Sequence, residues 1–259
     1  MQFKRIKILM LVLFVLLDIF LFNWWRAGQT TNEQVADANA DIIAEMKKQN
    51  IVLPTFSRSV QYNSYIAVQK AHKNEIGKLP STLTWDKNGG NWDELIARFK
   101  PDDEIHRDDY EAITKQIKAV ADDSGYHYNA ILSAAQPDET IIYSQRINDL
   151  PVMNSAGTMT FRYGKDGKPD TVIKRQLTNI QDLRDDRATL TEEDAIVSLY
   201  RYNEIDRGDR LSTGYLGYDK TLSVNGYDIY LPVWVFEVKR QNRHAILKIN
   251  AFTGDNLSE

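Results

Sequence analysis

Ile8-Leu9-Met10-Leu11-Val12-Leu13-Phe14-Val15-Leu16-Leu17-Asp18-Ile19-Phe20-Leu21-Phe22 leads into Asn23-Trp24-Trp25, and no other stretch of the chain comes close to this run of hydrocarbon. A helix needs about 17–25 mostly apolar residues to cross the core of a bilayer, and Ile6 to Trp25 supplies that length. The run therefore predicts one membrane anchor carrying one long body. Lys4, Arg5 and Lys7 precede it; only Arg26 follows closely, and the next basic residue is Lys47. Basic flanks stay in the cytoplasm. The expected topology is a cytoplasmic N-terminus over residues 1–7, a transmembrane helix over 8–25, and everything beyond it outside the cell. Trp24 and Trp25 are expected at the outer interface, where amphipathic indole rings hold a span in register.

A cleaved signal peptide has a shorter apolar core, about 7–15 residues, and ends in small residues. Here the core is longer and runs into Phe22-Asn23-Trp24-Trp25-Arg26, so the expectation is an uncleaved anchor. Asp18 is the exception within the span. A carboxyl at the centre of the hydrocarbon costs about 2.5 kcal/mol or more. One reading places it toward the outer third of the membrane, protonated or reaching for the headgroups. The other has it hydrogen-bonded to a second transmembrane helix, since polar groups inside a membrane join helices. With one helix of its own, the chain would have to find that partner elsewhere.

The remaining length suffices for one large domain or two small ones. Hydrophobic residues make up 42% of the chain, with thirteen Tyr and five Trp, so the body can bury a core rather than remain a disordered stalk. Without Lys4, Arg5, Lys7 and Arg26, 28 of the 32 basic residues remain; without Asp18, 35 of the 36 acidic ones do. The body thus carries about −7, which argues against nucleic acid and against lying flat on anionic lipid. There is no cysteine; the body relies on its core, not on disulfides.

Along the chain, Thr31 to Gln49 reads as a helix leaving the membrane, with Val35, Ala38, Ile42 and Met46 at helical spacing and Pro54 as its stop. The juxtamembrane segment is accordingly set at 26–54. Thr55 to Gln69 is β-rich. Leu79-Pro80 and Asn88-Gly89-Gly90 mark turns. Trp92 to Phe99 reads as a short helix stopped by Pro101, and His106 to Asp122 as a longer one with Tyr110, Ile113, Ile117 and Val120 on one face. Strands are expected at Tyr126 to Ala134, at Thr140 to Ile147 after a Pro137-Asp138 turn, and in a hairpin of Gly157–Tyr163 with Thr171–Leu177 around Gly164 to Pro169. Residues 178–190 read as a polar connection. Thr191 and Asp194 resemble a capping box with Leu190 as staple, opening a helix that carries Ile196, Leu199, Tyr200 and Tyr202. Strands then follow at Ser212–Thr221, Tyr227–Arg240 and His244–Phe252. Helix followed by antiparallel strands occurs twice, and Leu150-Pro151-Val152 is echoed by Leu231-Pro232-Val233. The expected fold class is α+β: a transmembrane helix followed by two units, 55–183 and 184–259, each a helix on an antiparallel sheet.

No catalytic or metal constellation stands out. His72, His106, His127 and His244 lack metal-ligand spacing. There is no thiol, no serine in a nucleophile elbow and no phosphate-binding glycine loop. The densest acidic group, Asp102, Asp103 and Glu104 with Asp108 and Asp109, does not match an EF-hand and reads as the acid-rich start of a helix. Asp185, Asp186 and Arg187 read as a solvated connection. Tyr215, Tyr218, Tyr227 and Tyr230 read as packing on the last sheet, or as an interface. No cofactor or metal is expected.

The opening Met1-Gln2-Phe3-Lys4-Arg5-Ile6-Lys7-Ile8 running into Leu16-Leu17-Asp18-Ile19-Phe20-Leu21-Phe22 resembles the start of the YycI (WalI) proteins of low-GC Gram-positive bacteria. Ser144-Gln145-Arg146-Ile147-Asn148-Asp149-Leu150-Pro151-Val152 is similar to that family's strand, Asn and hydrophobic-Pro-Val pattern, with Asp149 where Gly is expected. The Gly164–Gly167 hairpin and the Leu190-Thr191-Glu192-Glu193-Asp194-Ala195 helix start fit as well. The ending Ile249-Asn250-Ala251-Phe252-Thr253-Gly254-Asp255 resembles the close of PepSY-type modules, which makes the two units PepSY-like or YycH-like. The resemblance implies a non-catalytic accessory regulator of the essential WalK/WalR (YycG/YycF) two-component system, active in cell-wall homeostasis. It would associate with a WalK-type sensor histidine kinase and a YycH-like protein through transmembrane and extracellular contacts. On that reading Phe14, Asp18 and Phe22 are the candidate partner contacts, and Lys4, Arg5, Lys7, Trp24 and Trp25 the anchor. The alternative is an exported PepSY-type ligand-binding or protease-inhibiting module that uses the helix as a tether. A weaker third reading, a cell-wall enzyme, would gather Asp86, Asp93, Asp102 and Glu104.

Overall fold

The computed structural model describes residues 2–77, 80–87, 89–100, 109–122, 124–136, 140–240 and 243–258, and side chains for the same residues except 2–4, 26–37, 110 and 243. It divides into two compact units, Met1–Asn50 and Ile51–Glu259.

The first unit is one helix, α1 (Gln2–Lys48). It holds no proline, and its Leu, Met, Ala, Glu and Lys residues lose little on entering a helix. The stretch expected to be a separate juxtamembrane helix is continuous with the span. Its end is not set by Pro54. Gln49 N–H donates to Glu45 O (3.0 Å), Asn50 adopts a left-handed φ of 60°, and Lys47 and Lys48 in the last turn oppose the helix dipole.

The second unit runs β1 (Tyr62–Asn63), β2 (Ile66–Lys70), β3 (Leu83–Asp86), β4 (Leu95–Phe99), α2 (Tyr110–Asp122), β5 (Tyr126–Tyr128), α3 (Ala130–Ala134), β6 (Ile141–Ile147), β7 (Leu150–Pro151), β8 (Thr158–Tyr163), β9 (Pro169–Lys174), β10 (Leu177–Asp182), β11 (Arg187–Ala188), α4 (Glu192–Arg201), β12 (Arg210–Leu211), β13 (Tyr215–Val224), β14 (Tyr227–Arg240) and β15 (Arg243–Asn250). The class is α+β, an apolar N-terminal helix followed by a β-sheet body. Among the described residues one sheet has seven strands, ordered β3-β4-β9-β8-β6-β5 with β7 on β6. A second has six, ordered β10-β2-β14-β12, with β13 and β15 also on β14. A two-stranded ribbon joins β1 to β11.

Each main sheet carries one helix of useful length. Ile113, Ile117, Val120 and Ala121 of α2 share a core with Leu95, Ala97, Tyr126, Tyr143, Met159, Phe161 and Val172 of the seven-stranded sheet. Helix α4 buries Ala195, Ile196, Val197 and Leu199, and the Trp234 indole of β14 donates to Leu190 O (2.9 Å) at its start. The sheets meet where Ile147 and Val152 pack against Ile66, Val68, Leu177, Tyr218 and Tyr230. There Val152 bridges Tyr218 in parallel, and the Met153 N–H donates to Tyr218 O (2.8 Å).

The strand pairing crosses the expected division into 55–183 and 184–259. Strand β2 pairs with β10 from Leu177↔Lys70 onward, inside the first expected unit, but also with β14, beyond residue 184, at Asp228↔Val68 to Tyr230↔Ile66. The two helix-and-sheet layers are therefore nested rather than sequential: the seven-stranded sheet and α2 are built from the chain between β2 and β10. The physical reason lies in Ile66-Ala67-Val68. Buried on both faces, this run belongs in the middle of a sheet, and β14 supplies the neighbour.

Other local expectations change as well. Trp92 to Phe99 is not a helix: Leu95–Phe99 is a strand between β3 and β9. Tyr126 to Ala134 breaks after Tyr128, because the Asn129 side chain accepts from Leu132 N–H (3.0 Å) and caps α3. Residues 178–190 are not a free connection but hold β10 and β11. The capping box forms as expected, with Asp194 N–H donating to Thr191 Oγ1 (3.1 Å) and Thr191 N–H to Asp194 Oδ2 (3.3 Å). The Pro101 stop and the Leu79, Asn88 and Pro137-Asp138 turn positions lie outside the described residues.

Candidate functional site

Arg5–Trp25 is apolar and long enough to cross a membrane, at a mean hydropathy of 2.5, and none of it is buried within the protein's own fold. Twenty-one residues at 1.5 Å rise make about 31 Å, the thickness of the hydrocarbon core. Phe14, Asp18 and Phe22 follow one another at four-residue steps, so each is rotated by only about 40° from the last. All three are exposed, Phe14 at 70% and Phe22 at 56%. Asp18 lies about 20 Å along the helix from Arg5 and about 10 Å from Trp25. Among the described residues no side chain bonds to it. The aromatic end of the span is ordered by its own neighbours: Phe20 meets Trp24 edge-on at 5.9 Å, and Phe22 lies 6.0 Å from Trp25. The Lys4 side chain lies outside the described residues, so of the basic flank only Arg5 and Lys7 can be placed.

In the second unit the residues singled out for chemistry are scattered or occupied. Asp86 accepts from Gly89 N–H (3.1 Å) within a turn. Asp93 pairs with Lys70 (2.9 Å). Asp102, Asp103, Glu104, His106 and Asp108 lie outside the described residues. Asp109 accepts from Ala112 N–H (2.9 Å) at the start of α2, the capping role an acid-rich helix start suggests. His244 pairs with Glu237 (2.7 Å), and His72 faces Trp92. Among the described residues no three of His, Asp and Glu converge as metal ligands. Of the tyrosine group, Tyr218 and Tyr230 are fully buried and Tyr215 is half exposed.

Most of the displaced proton affinities belong to buried groups. Burial pushes the Tyr126 and Tyr230 hydroxyls well up and holds the Lys174 amine below its ordinary value. Burial would also raise the Glu94 carboxyl, but the hydrogen bond and charge of Arg175 outweigh it and keep it low.

Sequence reasoning did not find the clamp around the N-terminus of α4. Glu192, 3% exposed, accepts from Gly214 N–H (2.6 Å) and from Ser57 N–H (2.9 Å). Glu193 pairs with Arg58 (2.5 Å), and Thr189 N–H donates to Gln61 O (2.8 Å). These contacts pin the irregular segment 53–61. Two glutamates at a helix start are ordinary dipole partners in a sequence, and only their burial distinguishes them.

Two solved structures resemble the chain in outline. An uncharacterized protein from Eubacterium rectale aligns over 81% of this chain and 89% of its own, at 9% identity and a TM-score of 0.48. The Bacillus megaterium YpeB C-terminal domain aligns over 85% and 94%, at 10% identity and a TM-score of 0.40. Among curated proteins none matches. The family model described as YycI protein matches residues 29–252, nearly the whole length after the span, and the chain belongs to the YycI family.

Proposed function

We propose that this protein is a non-catalytic, single-pass regulatory subunit of a WalK-type sensor histidine kinase. Its N-terminus lies in the cytoplasm, its body lies outside the cell, and it acts together with a YycH-like protein. Family membership makes it a regulator of the WalK/YycG system in general terms; the partner contacts, the orientation and the mechanism are our reading. The observation that carries it is the Phe14-Asp18-Phe22 stripe. A carboxyl inside hydrocarbon is costly unless it meets a polar partner, and the chain's described residues supply none to Asp18. A polar group on a neighbouring chain's helix satisfies it, flanked by two aromatic rings that pack against the same helix. Regulation then follows from unequal affinity. A subunit that packs better on one signalling state of the kinase shifts the kinase toward that state, and one that binds both states equally shifts nothing. The basic flank on one side of the span and the paired indoles on the other support the orientation.

Co-purification of the kinase and the YycH-like protein from membranes tests this, using the native chain, Asp18→Leu, and a chain whose residues 8–25 are replaced by an unrelated span. Capture by the native chain that is weakened in Asp18→Leu and lost in the replacement supports the reading. Equal capture by all three moves recognition to the body. No capture by any favours the tethered PepSY-type binding module.

A further inference from the structure

The second unit carries an open cleft of about 610 Å³ that the regulator reading does not use. Its walls come from β2, β10, the β13–β14 hairpin and the loop before β4, and its rim is Trp92, 56% exposed. The backbone that carries this exposed indole is fixed, and the His72 ring lies 6.3 Å from it, tilted by 33°. The next residue, Asp93, is fastened to Lys70 (2.9 Å), Glu94 to Arg175 (2.5 Å), and the Trp92 carbonyl accepts from Lys73 N–H (2.7 Å). Apart from this ring, the lining among the described residues is almost wholly hydrogen-bonding: amides, hydroxyls and charged groups, with no Leu, Ile, Val or Phe among them.

That composition excludes some ligands. Among the described residues an apolar ligand would have one ring to bury against. An anion would meet a balanced field: Lys70 and Lys220 line the cleft with Glu75 and Asp228, and both lysines are already paired, Lys220 with Asp228 at 2.8 Å. What suits one flat apolar face opposite neutral and balanced hydrogen-bonding groups is a molecule with a flat C–H face and a rim of hydroxyls. We propose that this cleft binds a neutral pyranosyl oligosaccharide, one sugar ring lying on the Trp92 indole and its hydroxyls meeting the β2, β10 and hairpin side chains.

The polar wall is pre-arranged for hydroxyls. Asn179, on a register shift in β10 and at φ 50°, donates from Nδ2 to Gln69 Oε1 (2.6 Å); the pair leaves an amide oxygen and amide hydrogens for a ligand. Ser223 Oγ (2.5 Å) and Lys220 Nζ both donate to Oδ1 of Asp228, which leaves Oδ2 without a bond among the described residues; in this proposal Oδ2 accepts from a ligand hydroxyl. Burial would raise the Asp228 carboxyl, but these two bonds outweigh it and hold it below the usual carboxylate range. The acceptor is therefore charged at neutral pH. The inference stands on the cleft alone and does not depend on the kinase reading.

The test is calorimetry and saturation-transfer NMR on the full chain in nanodiscs. The ligands are a linear N-acetylglucosamine tetramer, cellotetraose, sorbitol and inorganic phosphate, titrated into the millimolar range. The expected result is saturable binding of at least one tetrasaccharide, with transfer strongest at ring C–H protons. Trp92→Ala should weaken it about tenfold, Trp92→Phe less, and Asp228→Asn should weaken it without loss of fold by circular dichroism. Saturation by phosphate alone, binding that Trp92→Ala leaves unchanged, or no saturable binding of either tetrasaccharide overturns the proposal.

Discussion

Glu192→Ala is the most informative single change in the body. The side chain is 3% exposed, so water does not screen its bonds. Its two oxygens each satisfy one backbone donor, Gly214 N–H at 2.6 Å and Ser57 N–H at 2.9 Å. A hydrogen bond to a charged group contributes about 1.5–3 kcal/mol, and orphaning a buried donor carries its full desolvation cost. Two such losses give about 3–6 kcal/mol; Ser57 lies partly open, so the lower half of that range, about 3–4 kcal/mol, is expected. The loss also removes a negative charge from the first turn of α4, in the same direction. At about 2–4 °C per kcal/mol for a body of this size, the melting temperature should fall by roughly 10 °C. Glu192→Gln, which keeps one acceptor but turns an NH2 toward the other donor, should fall between the two. Thermal melts and urea titrations of the full chain in detergent, followed by circular dichroism, measure both. A Glu192→Ala protein within about 0.5 kcal/mol of the parent would refute the clamp, because ordinary surface changes reach that size.

Further outcomes are expected elsewhere. A Cβ at Gly217 would lie 2.8 Å from Pro151 O and against the Met153 side chain; Gly217→Ala should therefore destabilise the sheet junction by about 1–3 kcal/mol in the same urea assay. Thr191→Ala removes the capping box of α4 and should cost about 1–2 kcal/mol. Lys174 is 3% exposed and its amine is held below the ordinary 10.5 by burial. Charging it is harder in the folded chain than in the unfolded one. The penalty is full below the folded pKa and fades as pH rises through the window up to 10.5. Lys174→Met should raise stability by about 1 kcal/mol at neutral pH and flatten the alkaline rise, read from melting temperature against pH.

The span, the capping box and the long strands β14 and β15 were legible because each is written in contiguous residues: a hydrocarbon run, a Thr-x-x-Asp spacing, an unbroken β-branched and aromatic stretch. What escaped was set by distant partners. Leu95–Phe99 has apolar residues that suit a helix turn as well as a strand, and β3 and β9 on either side decide for the strand. Residues 178–190 look solvated because β10 sits at a sheet edge, with most of its side chains in water. The tyrosines divide by depth: Tyr218 and Tyr230 pack as expected, whereas Tyr215 stays half exposed. Phe14, Asp18 and Phe22 were singled out from sequence, where four-residue steps put them on one side of a helix; the whole span is exposed, so its exposure does not set them apart. The Trp92 cleft draws its walls from strands more than a hundred positions apart, and no local pattern announces it.

The nested strand order sets a timetable for making the protein. Strand β2 waits for β14, about 160 positions later in the chain. At about 5–20 residues per second of synthesis, that is roughly 10–30 s during which Ile66-Ala67-Val68 lacks its β14 neighbour, with the edge strand β10 arriving on its other side in the interval. The seven-stranded sheet meets no such delay, since its last strand, β9, ends at Lys174. Its core can close while the rest of the chain is still emerging. A ribosome that stops after β9 leaves a filled sheet beside an uncovered apolar strand, the kind of edge that recruits other chains. The vulnerable moment for this protein is therefore late in elongation, and a holdase that shields β2 until Tyr230 arrives should raise its yield more than any aid to the first sheet.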